Sequence, residues 1–197
     1  MSTRTYRIVL SASVAAYLVA AAALIGLVTI SLFFWIGGPW GTINDVVLVV
    51  MTLALAPTML AYYELGGRTP TLLAQAAQLS GWLAVLAWCA LHLLFITGSL
   101  EFDYGAPATG TMALEQVALI VIGLWIAGAN LLAAEWLSWI RWLGVVTGIG
   151  FALVGLGLLA GGTNHPLSYA GGIGYELVLP IWAFLLARLL GRIGALS

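Results

Sequence analysis

"IVLSASVAAYLVAAAALIGLVTISLFFWI", residues 8–36, decides the fold, and it carries no charged side chain. A helix needs about 20 apolar residues to cross roughly 30 Å of hydrocarbon. This run is longer than that. The core of a secretory signal is only about 7–15 residues long. With Arg4 and Arg7 kept on one flank, the run reads as a retained membrane helix and not as a cleaved signal.

The same pattern returns along the chain. Further apolar runs cover 44–63, 72–98, 113–134, 142–161 and 173–190. The breaks between them are polar or glycine-rich: "GGPWGTIND", "ELGGRTPT", "GSLEFDYGAPATG", "EWLSWIR" and "GGTNHPLSYAGGIGYE" (161–176). Of the 197 residues, 63% are hydrophobic and 7% are charged. Soluble domains carry roughly 25% charged residues, so lipid is the main solvent of this surface. The expected fold is an all-α polytopic membrane bundle of six transmembrane helices. Residues 1–197 form one transmembrane domain.

Composition also excludes chemistry. A net charge of −1 offers nothing to nucleic acid. Cys89 is the only cysteine, so an internal disulfide or a cysteine metal cluster is excluded. There is no lysine, which removes Schiff-base chemistry and a lysine-linked retinal pigment.

The arginines orient the bundle. With a cytoplasmic N-terminus, the inner segments are 1–7, 64–71, 135–141 and 191–197. Arg4, Arg7, Arg68, Arg141, Arg188 and Arg192 then all lie inside or in the last turns leading inside. This satisfies the positive-inside rule at every loop and predicts that both termini are cytoplasmic. Trp136, Trp139 and Trp142 recur beside Arg141 as an aromatic belt at the inner interface. Glu101, Asp103, Tyr104 and the 161–176 stretch then face outward. The expected location is a prokaryotic plasma membrane.

Some positions carry packing information. Gly144 with Gly148, and Gly157 with Gly161, are spaced for close helix approach in lipid. Glu176, Pro180, Ala183, Ala187 and Gly191 make one narrow face of the last span, and Glu176 is its only charge. That face is expected to pack inward. Asn130, Gln75 and Gln78 read as interhelical hydrogen-bonders.

Five groups sit towards the outer side: Asp45, His92, Glu115, His165 and Glu176. Ionisable groups inside a membrane are costly, and function is the default suspicion. Asp45, His92, Glu115 and Glu176 are the candidate ligand-binding residues. Two histidines with carboxylates also suit zinc or a similar divalent metal, which would use His92, Glu115, Glu176 and His165. A second reading needs no site. Asp45, Glu115 and Glu176 open their predicted spans, and acids in a first helical turn gain about 0.3–1 kcal/mol from the helix dipole. His165, before Pro166, then is a solvated loop residue. His92 lies deeper and needs a partner, for which Glu115 is sufficient. The 161–176 stretch is expected to be mostly an outer turn, its glycines a flexible lead into the sixth helix.

Other signals are poorer. "AGGIG" has no lysine after it and is not a phosphate loop. Ser168, His165 and Asp103 have the residue types of a hydrolase triad but lack a Gly-x-Ser-x-Gly elbow. Only His92 has the depth for a haem ligand, which speaks against a bis-histidine haem within one chain. Cys89 reads as a packing residue. No catalytic residue and no cofactor is assigned.

Arg141, Trp142, Leu143 and Gly144, then Glu176, Leu179 and Trp182, form two patterns at the starts of the last two spans. In these the chain resembles an uncharacterised family of bacterial six-span integral membrane proteins of about 200 residues. The resemblance covers the last third of the chain. Members usually have Pro before the arginine, where this chain has Ile140. It implies six helices and no particular activity.

The function expected is that of a ligand- or lipid-binding protein or accessory subunit with an outward-facing polar pocket. Its partners are then the bilayer and other membrane subunits or further copies of itself. The alternatives are the membrane-embedded substrate-binding component of a transporter and an intramembrane metal-dependent enzyme with one carboxylate as general base.

Overall fold

The computed structural model describes residues 2–65, 72–99, 105–132 and 138–195. The expectations for Arg68, Glu101, Asp103, Tyr104 and Trp136 concern positions outside those residues. All the regular structure described is helical: α1 (Thr3–Ile36), α2 (Trp40–Leu65), α3 (Leu72–Ile96), α4 (Gly110–Leu132), α5 (Ser138–Gly161), α6 (Pro166–Gly172), a π-helical segment (Ile173–Val178) and α7 (Leu179–Ala195). The last three run on without a break from Pro166 to Ala195, so six helices are long and apolar enough to cross a membrane. The surface agrees with that solvent. Trp35, Leu132, Val14 and Leu124 are among many large apolar side chains left exposed, on a scale that water-soluble monomers avoid.

Each span packs on the next in sequence, and the sixth closes against α1 and α5. The six spans therefore form a ring with one common axis. The connections after α1, α3 and α5 lie at the end opposite the termini, called here the distal end. All three of these stops carry a positive-φ glycine, Gly98 (φ 70°) following α3. Gly37 (φ 70°) closes α1 by donating its N–H to the Phe33 carbonyl, and Gly162 (φ 76°) ends α5 by bonding to Leu158. All three adopt the left-handed backbone that side-chain-bearing residues avoid.

Glycine also sets the helix separations on both sides of α5. A Cβ on Gly148 would overlap the Ala127 backbone nitrogen and the Gly123 carbonyl oxygen of α4, and one on Gly144 would overlap the Asn130 side chain. On its other face, a Cβ on Gly150 would fall 2.6 Å from the Tyr175 backbone nitrogen and 2.7 Å from Gly174 Cα. Gly157 meets Ser168 in the same way. Without a hydrophobic driving force between helices in lipid, such backbone contact is what holds them. The face of Pro180, Ala183 and Ala187 is buried, and the Ser13 hydroxyl of α1 donates to the Ala187 carbonyl at 2.8 Å. Gln75 and Gln78 depart from expectation. Gln75 is exposed, and Gln78 Nε2 has no hydrogen-bond partner among the described residues.

The helix starts correct the sequence reading. Five spans begin three to seven residues earlier than expected, at Thr3, Trp40, Gly110, Ser138 and Pro166. Glycine, threonine and proline at these points break the hydropathy but not the helix. The expected outer turn at 161–176 shrinks to the bend Gly162–His165. The "AGGIG" glycines lie inside the sixth span, where Gly171 and Gly174 pack against the α5 backbone. They are contact residues and not a flexible lead.

Candidate functional site

The early starts move the acids. Asp45 lies five residues beyond Trp40 and Glu115 five beyond Gly110, so neither sits in a first turn. At the helical rise each is about 7.5 Å in from its helix end. Glu176 is deeper still, ten residues past Pro166. The account of these residues as first-turn acids is thereby corrected.

All four candidate ligand-binding residues line one cavity of about 320 Å³ near the distal end of the ring. Every span contributes to its wall. Asp45 comes from α2, His92 from α3, Glu115 from α4 and Glu176 from the π segment. The apolar lining includes Leu48, Leu119, Val154 and Leu158.

His92 is its centre. It stacks on Trp88, one turn earlier in α3, with ring centroids 4.2 Å apart and planes 15° from parallel. Phe95 meets its edge at 5.8 Å. Spacing by four brings Trp88 and His92 onto the same face. The ring is held between two carboxylates. His92 Nδ1 is 2.5 Å from Glu115 Oε1, a short hydrogen bond. His92 Nε2 is 3.3 Å from Asp45 Oδ1, within ion-pair range, though it lacks hydrogen-bond alignment. Glu115 is almost wholly buried, and its second oxygen accepts from Gln116 Nε2 at 3.2 Å. Such a pair is held by its geometry, since loss of either partner strands a desolvated charge.

Glu176 is half-buried and makes no hydrogen bond or ion pair among the described residues. The π segment presents it and Tyr175 to the cavity together. Tyr175 also meets Phe151 edge-on, with centroids 4.6 Å apart. The segment leads into Pro180. Pro180 has no N–H to give the carbonyl four residues back, at Glu176. The Leu179 N–H bonds to the Gly174 carbonyl five residues back, and the turn widens. Single π turns of this kind recur at functional sites.

His165 does not join the cavity. Its Nδ1 accepts from the Leu167 N–H at 3.3 Å, so it caps α6, with Pro166 as the first helical residue. Its backbone is extended (φ −70°, ψ 138°), as the following proline requires. The metal set His92, Glu115, Glu176 and His165 is therefore not assembled. No group of three or more His, Cys, Asp or Glu among the described residues is arranged to hold a metal ion. Ser168, inside α6, ties back to the bend by donating its hydroxyl to the Gly162 carbonyl at 3.0 Å.

Three polar lining residues escaped the sequence reading: Asn44, Gln116 and Tyr175. Each adjoins an acid already singled out, and that adjacency was the available signal. The Thr29 hydroxyl lies 3.0 Å from Asn44 Oδ1, which ties α1 to α2 at the cavity wall. Comparison with protein-family models, curated proteins and solved structures gave no match.

Proposed function

We propose that this multi-pass membrane protein binds a small, partly apolar ligand in the cavity around His92. One observation carries the reading: Asp45, His92, Glu115 and Glu176, from four different spans, meet at a single cavity of about 320 Å³. That volume is at the lower end for small-molecule sites, which combine apolar walls with a few polar groups that fix orientation. Keeping four ionisable groups together inside a membrane is costly, and a packing role does not need them. Arg4, Arg7, Arg141, Arg188 and Arg192 cluster at the end of the ring that holds the termini. This supports cytoplasmic termini and a cavity near the outer face of a plasma membrane. The π segment supports a second reading, a substrate-binding component of a transporter, because it gives the sixth span a place to change register.

Native mass spectrometry of the protein released from mild detergent tests the binding reading. The expected result is an added mass that disappears in Gly26→Leu, which fills the cavity from α1. A Cβ at Gly26 already sits 3.8 Å from Asn44, Val47 and Leu48, so an unchanged melting temperature of the variant is required before the loss is read as a filled cavity. A spectrum of bare protein, the same in both forms, contradicts the reading.

A further inference from the structure

Resting on that binding reading, we infer that the ligand presents an N–H-bearing ammonium group to Glu176 and Gln116.

The charges in the cavity do not balance. Three carboxylates, Asp45, Glu115 and Glu176, face one histidine, and no arginine lines the wall. With these carboxyls ionised, even a cationic His92 leaves an excess of negative charge. Both its nitrogens already face carboxylates, Glu115 at 2.5 Å and Asp45 at 3.3 Å. Nδ1 is thus committed to Glu115, and Nε2, though without a hydrogen bond, faces a carboxylate that would repel an anion.

The open hydrogen-bonding capacity has the same sense. Gln116 is only 3% exposed, and its Oε1 has no partner among the described residues. The amide orientation is fixed because Nε2 donates to Glu115 Oε2 at 3.2 Å; the opposite orientation would set two acceptors against each other. A buried acceptor without a donor is uncommon in folded proteins, and this one lines the cavity. The Glu176 carboxylate adds two more acceptor oxygens with no hydrogen-bonded partner. What completes such a wall is a group rich in N–H donors and positively charged. The largely apolar remainder of the wall suits an organic cation. Leu48, Leu119, Val154 and Leu158 then cover its apolar body. The ammonium can belong to a free amine or to an ethanolamine lipid headgroup.

The test uses three probes of one shape: 2-phenylethylammonium, 2-phenylethanol and phenylacetate. Each is titrated into the full chain in phosphatidylcholine nanodiscs by calorimetry. The ammonium is expected to bind at least tenfold tighter than the alcohol, and phenylacetate not to bind. Glu176→Gln is expected to weaken the ammonium at least tenfold and to change the alcohol less than threefold, which separates lost charge from lost fold. A parallel arm compares thermal stability in phosphatidylethanolamine and phosphatidylcholine discs. The choline headgroup carries the charge without N–H donors. Stabilisation by the free amine assigns a soluble source, and stabilisation by the ethanolamine lipid alone assigns the headgroup; both support the inference. If the alcohol or phenylacetate binds as tightly as the ammonium, the charge assignment is overturned and the binding reading stands. If no probe binds and the two lipids act alike, both are overturned.

Discussion

His92 Nδ1 and Glu115 Oε1 lie 2.5 Å apart, joining α3 to α4 inside the ring. The pair spans the widest connection in the chain, residues 97–109. It is therefore a tertiary tie and not a by-product of neighbouring sequence. Glu115→Ala strands His92 beside Asp45 and opens space. The expected cost is about 3–5 kcal/mol, the usual effect of breaking a buried pair from one side. Pairing Glu115→Leu with His92→Leu should cost less than the sum of the two single changes, by about 0.5–3 kcal/mol. Unfolding in mixed micelles measures both. Strict additivity contradicts the coupling.

Gly148 and Gly128 make an internal contrast. A Cβ on Gly148 runs into the α4 backbone, while one on Gly128 meets nothing within 4 Å. Gly148→Ala is expected to lower stability by about 1–3 kcal/mol through overpacking. Gly128→Ala should be neutral or add up to about 1 kcal/mol from helix propensity. Equal melting temperatures for the two variants contradict the α4–α5 crossing.

His165→Ala removes the side-chain cap of α6. The expected loss is about 0.5–2 kcal/mol, with ligand affinity within twofold of the parent. Calorimetry on the variant checks both numbers. A tenfold loss of affinity returns His165 to the site.

The orientation is open to a direct check. A reporter fused after Ser197 should behave as cytoplasmic, and a tag at Gly162 should be reachable from outside intact cells. The opposite labelling pattern reverses the bundle.

Much of this architecture could be read in the sequence because lipid imposes it. A run such as 8–36 has no other stable form, and the arginines count the crossings independently. His92 was legible as a buried group needing a partner, and Glu115 is that partner. The starts of the spans were less legible. Hydropathy treats Trp40–Ile43 and Pro166–Gly172 as loop, whereas the backbone treats them as helix. That error made mid-helix acids look like helix-end acids. The π segment has no periodicity signature, and only Pro180 marks it. Gln116 and Tyr175 resemble ordinary span residues until the ring closes around them. Their role depends on where the sixth span packs against α5, which Gly150 and Gly174 decide by backbone contact.

The measurement that bears most directly on the central claim is an experimental structure of the protein in lipid nanodiscs, with attention to the space bounded by His92, Gln116 and Glu176. The account predicts density for a non-protein molecule there, with its polar end within hydrogen-bond reach of the Glu176 carboxylate and Gln116 Oε1. A cavity closed by inward movement of the sixth span, or Glu176 turned out into the bilayer, would contradict it.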